Sequence, residues 1–195
     1  MNIEQMIATK KPKVGQVLFI AVDGHGGSGK STLAELLSKK FDAGIIHTDD
    51  FASWENPLNW WSKVVDLVFA PIAAGDRKLS YKRTKWWKDH HPKPAVNEPV
   101  TPIMILEGVS SLRKEFRDYI SLGIFIDTPE AICLQRGLAR DKGMDGKTDD
   151  EIIELWDKWR KEELDYVQRD DPKSYADIII DGTKPFEDQL EHIVS

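Results

Sequence analysis

Five short, mostly apolar runs punctuate the chain: Val17–Val22, Ala43–Thr48, Pro102–Leu106, Leu122–Ile126 and Ala176–Ile180. They are rich in Val and Ile and do not alternate cleanly with polar residues, as expected of strands buried on both faces. Helical spacing fills the intervals between them. Leu33, Ala34, Leu36, Leu37 and Phe41 share one face after the first run, and Trp60–Ala74 reads as a helix after the second. Thr128 followed by Pro129 predicts an N-cap and first-turn proline for a helix ending near Asp141. Thr148-Asp149-Asp150-Glu151 is a capping-box signature opening a helix with Ile152, Leu155, Trp156, Trp159, Tyr166 and Val167 along one side. Pro185–Val194 closes the chain as a helix, and residues 1–16 read as a short polar helix or tail. Strands alternating with helices predict a three-layer α/β/α fold around a five-stranded parallel sheet.

At 195 residues this suits one domain with a substantial core. Lys+Arg of 27 against Asp+Glu of 33 gives −6, which argues against a nucleic-acid binder. The N-terminal residues have no signal-peptide layout and no apolar run approaches membrane-spanning length, so a cytoplasmic protein without membrane contact is expected. The single cysteine, Cys133, has no internal disulfide partner and reads as a half-buried helix residue.

The first strand feeds into Asp23-Gly24-His25-Gly26-Gly27-Ser28-Gly29-Lys30-Ser31-Thr32, and a helix follows. Gly24 through Ser31 fits the phosphate-binding loop G-x-x-x-x-G-K-S in its strand–loop–helix setting. Glycines let successive N–H groups converge on phosphate oxygens at the positive end of a helix. The candidate nucleotide-binding residues are therefore Gly24, Gly26, Gly27, Ser28, Gly29, Lys30, Ser31 and Thr32. Lys30, expected as an exposed loop residue, can reach the β- and γ-phosphates, and the Ser31 hydroxyl can hold Mg²⁺. Gly24-x-Gly26-x-x-Gly29, with Asp49 further on, also satisfies a dinucleotide fingerprint, but that pattern leaves Lys30-Ser31 unexplained.

Ligands of open parallel sheets bind beyond the carboxyl ends of the strands. Here the glycine loop ends strand one, Asp49-Asp50 ends strand two and Glu107 ends strand three. Phosphoryl transfer requires a group to orient or deprotonate the acceptor hydroxyl, and a metal shell on the phosphates. Asp49 is the candidate base, and Ser31, Glu107 and Asp49 are the candidate Mg²⁺ residues. Arg136 and Arg140, four apart on one helix face before a polar, Gly-containing loop at 142–148, are candidates to clamp transferring phosphates under a lid. A solvated helix carrying an Arg140–Asp141 pair is the plainer alternative.

Taken in order, Val22–Thr32, Thr48-Asp49-Asp50-Phe51, Ile105-Leu106-Glu107-Gly108, Phe125–Thr128, Arg136-x-x-x-Arg140-Asp141 and Ala176–Ile180 cover nearly the whole chain. In this it resembles the uridine kinase and phosphoribulokinase-type branch of P-loop kinases. The resemblance implies ATP- and Mg²⁺-dependent transfer of the γ-phosphate to a hydroxyl of a small-molecule acceptor, foremost a nucleoside. It assigns Asp49 to the acceptor hydroxyl, Glu107 to the metal, Arg136 and Arg140 to the lid, and residues 52–102 to an acceptor-binding insertion. A homo-oligomer is compatible with it.

The acceptor half departs from the family pattern. Ala52 stands where a tyrosine is usual, and Tyr81-Lys82 and Thr84-Lys85 stand where a Tyr-Asp pair holds ribose hydroxyls. A lysine facing the cleft would favour an anionic acceptor. A nucleotide-dependent switch is the rival from another class, though no N-K-x-D sequence is present. Trp156 and Trp159 are expected in the core, whereas Trp54, Trp60, Trp61, Trp86 and Trp87 either line an acceptor pocket or pack a subdomain. His90-His91 reads as an exposed loop.

Overall fold

The computed structural model describes residues 1–53, 56–84 and 95–193, with the side chain of Asp145 left aside. Trp54, Lys85, Trp86, Trp87, His90 and His91 lie outside the described residues. In chain order the elements are α1 (Ile3–Thr9), β1 (Leu18–Gly24), α2 (Lys30–Phe41), β2 (Gly44–His47), α3 (Trp61–Val64), a π-helical turn (Val65–Phe69), α4 (Ala70–Ala73), β3 (Lys78–Lys82) and β4 (Ala95–Pro99). Then follow β5 (Ile103–Glu107), β6 (Leu122–Asp127), α5 (Glu130–Asp141), α6 (Asp149–Asp170), α7 (Pro172–Tyr175), β7 (Ile178–Asp181) and α8 (Phe186–Glu191). The main sheet has five parallel strands in the order β2-β5-β1-β6-β7.

Successive residues of a strand point to opposite faces, and β1 shows how this builds two cores. Leu18, Ile20 and Val22 join Leu33, Ala34 and Leu37 of α2. Phe19 and Ala21 join Val64, Val68, Phe69 and Phe116 on the other side. Helices on both faces explain why the five runs read as continuous rather than alternating.

Several boundaries follow the sequence reading. The Thr148 capping box forms as expected, with Thr148 and Glu151 exchanging bonds at the start of α6. Thr128 does not cap α5: Pro129 occupies that position without a side-chain cap, and Thr128 Oγ1 donates to Ser28 O at 3.1 Å. The 61–73 stretch is helical, but it widens into a π-turn just before Pro71, which has no N–H to donate to Leu67. The N-terminal segment is more than a polar tail: α1 buries Ile3, Met6 and Ile7 in the α2-side core and carries its own Asn2–Gln5 capping box. The β3–β4 hairpin was not foreseen; it is antiparallel and packs Leu79, Tyr81 and Val96 against the opposite core.

Candidate active site

Sheet register assembles the site. In the pairing, Glu107 at the end of β5 lies opposite Val22 of β1 on one side and His47 of β2 on the other. The glycine loop leaves β1 two residues beyond Val22, and Asp49 follows His47 by two, in a 3₁₀ turn at Thr48–Asp50. One carboxylate thus sits between the phosphate loop and the Asp49 turn.

The loop has the shape that phosphate binding asks for. Gly27 and Gly29 adopt φ of +81° and +107°, a region that side chains rarely enter. Gly27 also has no room for one, since a Cβ there would lie 2.2 Å from the carbonyl oxygen of Cys133 on α5. Lys30 is buried, not exposed as the sequence suggested, because it opens α2 and folds back under the loop, donating from Nζ to His25 O at 2.8 Å. Cys133 is likewise fully rather than half buried, its helix pressed against the loop.

Both Glu107 oxygens are engaged. Ser31 Oγ donates to Oε1 at 3.2 Å, and His47 Nδ1 donates to Oε2 at 2.7 Å. Burial alone would raise the Glu107 pKa, but the His47 bond and the Lys30 charge outweigh it and hold the carboxyl below its ordinary value. Burial opposes charge on His47 too, and there the Glu107 bond wins, raising its pKa. Asp49 is pushed up to about 6, first by burial and then by the Glu107 charge, with Lys30, His47 and Arg140 pulling the other way. Lys30, Ser31, Glu107, Asp49 and Arg140 therefore share one electrostatic neighbourhood.

Asp49 and Asp50 have different surroundings. Asp50 is buried and accepts from Tyr81 Oη at 2.9 Å and Arg83 Nε at 2.6 Å. Its backbone carbonyl takes the Thr84 N–H at 2.9 Å. These bonds anchor the β3–β4 hairpin to the end of β2. Lys82 is exposed, next to inward-facing Tyr81 in the alternation of β3. Trp60 is core, stacked on Phe51 at 6.2 Å between centroids and near Phe116. Trp61 is partly buried against the same cluster. Trp159 also packs against this cluster, partly buried.

The two arginines diverge despite sharing α5. Arg136 Nη1 donates to Gly182 O at 3.0 Å and lines an open groove of about 400 Å³ with Gly29, Thr32, Lys184 and Phe186. Arg140 holds Asp141 through two bonds of 2.6 and 2.9 Å, and Asp141 also accepts from Trp156 Nε1 at 3.0 Å. The Arg140–Asp141 pair is therefore real, while the Arg140 charge is still felt at Asp49.

Sequence reasoning missed four residues around this centre: His47, Arg83, Asp23 and Glu163. Asp23 is fully buried at the end of β1 and accepts from Gly24, Ser110 and Leu112 N–H groups and from Tyr166 Oη. Burial raises its pKa despite these four donors. A lone acid inside an apolar strand was the available signal, since an aspartate there needs several donors to be tolerated.

The donor set suits a hard cation. A serine hydroxyl and a carboxylate meet beside the loop, and oxygen ligands of this kind fit Mg²⁺. Among the described residues no three His, Cys, Asp or Glu side chains cluster as metal ligands.

Fold and loop together define a P-loop NTPase-type kinase. The family model described as "Phosphoribulokinase / Uridine kinase family" matches residues 76–186. A uridine kinase of Borrelia duttonii is 30% identical over 183 residues, covering 84% of this chain and 86% of that protein. One from Pasteurella multocida is 28% identical over 189 residues, covering 84% and 85%. A solved structure described as a possible uridine kinase from Bacillus stearothermophilus superposes with a TM-score of 0.64 at 22% identity, over 92% of this chain and 95% of that one. The chain belongs to the phosphoribulokinase/uridine kinase family. It is a phosphotransferase that acts on a hydroxyl group of a small molecule. Among the described residues no helix is long and apolar enough to cross a membrane.

Proposed function

We propose that the chain transfers the γ-phosphate of ATP, with Mg²⁺, to a hydroxyl of a nucleoside or related ribosyl compound. The observation that carries this reading is the register of β2, β5 and β1, which sets Asp49, Glu107 and the Lys30–Ser31 loop side by side.

In this reading the loop N–H groups and Lys30 take the phosphates, with Lys30 Nζ exchanging His25 O for a phosphate oxygen. The groove between Arg136 and Phe186 takes the nucleotide base, a flat ring facing an aromatic ring and a guanidinium. Ser31 and Glu107, with Asp49 nearby, would hold Mg²⁺, which would supply neutralisation of the phosphate charge. Asp49 orients the acceptor hydroxyl and accepts its proton; a pKa of about 6 keeps it ionised at neutral pH yet basic enough to serve. Arg140 and Arg136 stabilise the charge spreading over the transferred group when the 142–148 segment closes as a lid. The 52–102 segment forms the acceptor side.

An anionic sugar acceptor is the second reading. Exposed Lys82 gives it little support, because the residue of β3 that reaches the Asp50 turn is Tyr81. Following ADP production with uridine, other nucleosides and phosphorylated or carboxylated sugars distinguishes the two. Uridine or another nucleoside as the efficient acceptor, unchanged in Lys82→Ala and Lys85→Ala, supports the nucleoside reading; turnover only with anionic sugars replaces it.

A further inference from the structure

Helix α6 brings a carboxylate to the back of the phosphate loop. Glu163 is 4% exposed; its Oε1 accepts the Gly26 N–H at 2.9 Å, and its Oε2 lies 3.4 Å from His25 Nδ1. A buried carboxylate is costly unless it is paired and hydrogen-bonded, so this contact has a specific geometry to maintain. His25 is gripped from two directions, its ring by Glu163 and its carbonyl by Lys30 Nζ and the Ser28 N–H. The phosphate loop and the side chain that would clamp the phosphates thus hang on the same two residues, His25 and Gly26.

The same helix face reaches further. Trp156, seven residues before Glu163, packs on Gly26 and Gly137 and donates from Nε1 to Asp141, which holds Arg140. Tyr166, three residues after Glu163, donates to Asp23 at the end of β1 at 2.6 Å. Residues at these spacings lie along one stripe of a helix. Helix α6 is therefore fastened to β1, to the phosphate loop and to the end of α5.

We propose that Glu163 is a positioning residue for phosphoryl transfer: it fixes the His25–Gly26 half of the phosphate loop, and Trp156 on the same helix couples that loop to Asp141 and Arg140 at the end of α5. This rests on the phosphate-loop reading given above. Glu163 touches no phosphate itself; it acts through the Gly26 N–H and the His25 ring.

The test is ADP production at saturating acceptor across MgATP concentrations, with Tm recorded, for wild type, Glu163→Ala, Glu163→Gln and Trp156→Phe. Glu163→Ala raises KM for MgATP about tenfold or more, the order set by one hydrogen bond to a charged group, with kcat falling less. Glu163→Gln keeps an oxygen that can accept the Gly26 N–H and stays within about threefold of wild type. Trp156→Phe loses the Nε1 donor and, with its smaller ring, part of the packing on Gly26 and Gly137, so kcat falls severalfold, by more than KM rises. A lower Tm with wild-type KM in Glu163→Ala overturns the proposal, as does an equal loss in the Ala and Gln variants. Should Glu163→Ala not fold, Glu163→Asp, one methylene short of Gly26, takes its place with the same expected rise in KM. Lys30→Ala tests the loop reading separately. Turnover retained there contradicts the loop, whereas turnover lost there with Glu163→Ala unchanged contradicts only the role of Glu163.

Discussion

Ser31 Oγ donates to Glu107 Oε1 at 3.2 Å across 76 residues of sequence, which fastens the start of α2 to the end of β5. The other Glu107 oxygen is taken by His47, so the carboxylate is oriented before any ligand arrives. Glu107→Gln keeps the shape and removes the charge. It is expected to raise the Mg²⁺ concentration for half-maximal rate by about ten- to a hundredfold, the range found for groups that orient or ligate a metal. Initial rates across a Mg²⁺ titration check this, and an unchanged midpoint removes Glu107 from the metal site.

Asp49 and Asp50 are expected to fail differently. Asp49→Asn loses most of kcat with Tm and nucleotide binding kept. Asp50→Ala leaves the buried Tyr81 hydroxyl without its acceptor and removes one partner of half-buried Arg83, which costs about 1–3 kcal/mol of stability. Denaturant unfolding and kcat, measured on both variants, separate the roles. A larger kcat loss per folded molecule in the Asp50 variant contradicts the assignment.

Gly137→Ala is expected to destabilise the fold although alanine favours helices. A Cβ at this position of α5 would meet the Trp156 ring at 2.1 Å, and overpacking of this kind costs about 1–3 kcal/mol. The double variant Gly137→Ala/Trp156→Leu is expected to recover part of the loss. Thermal unfolding of the single and double variants measures it, and additive destabilisation refutes the contact.

Tyr166→Phe removes the hydroxyl that donates to Asp23 and leaves that buried carboxylate one partner short. A loss of about 1–3 kcal/mol is expected, with kcat per folded molecule nearly unchanged. Wild-type stability in this variant denies the bond its structural role.

The parts of this molecule legible in the sequence are those carried by local pattern. The five strands show as apolar runs because both sheet faces are covered, and the glycine loop shows because its shape needs particular residues at fixed spacing. The Thr148 capping box needs only four consecutive residues. What escaped notice depends on partners far away. Glu163 stands on a largely polar helix and finds Gly26 across 137 residues. Arg83 is one cation among many until the hairpin folds it onto Asp50. In the hairpin β3 buries alternate residues over five positions and β4 buries Val96 alone, too short a signal beside the lysines of β3. Thr128 and Pro129 misled because a threonine hydroxyl can serve a loop carbonyl as readily as a helix end.

A single-turnover experiment decides whether Asp49 serves a hydroxyl acceptor while the glycine loop holds ATP. Enzyme in excess over γ-labelled MgATP is mixed with a nucleoside, and label reaching the nucleoside is followed in wild type and Asp49→Asn. Transfer to the nucleoside hydroxyl is expected in wild type, and in Asp49→Asn a transfer rate lower by about a hundredfold or more with ATP binding unchanged. Label released only as inorganic phosphate, or transfer in Asp49→Asn at the wild-type rate, would contradict that role of Asp49.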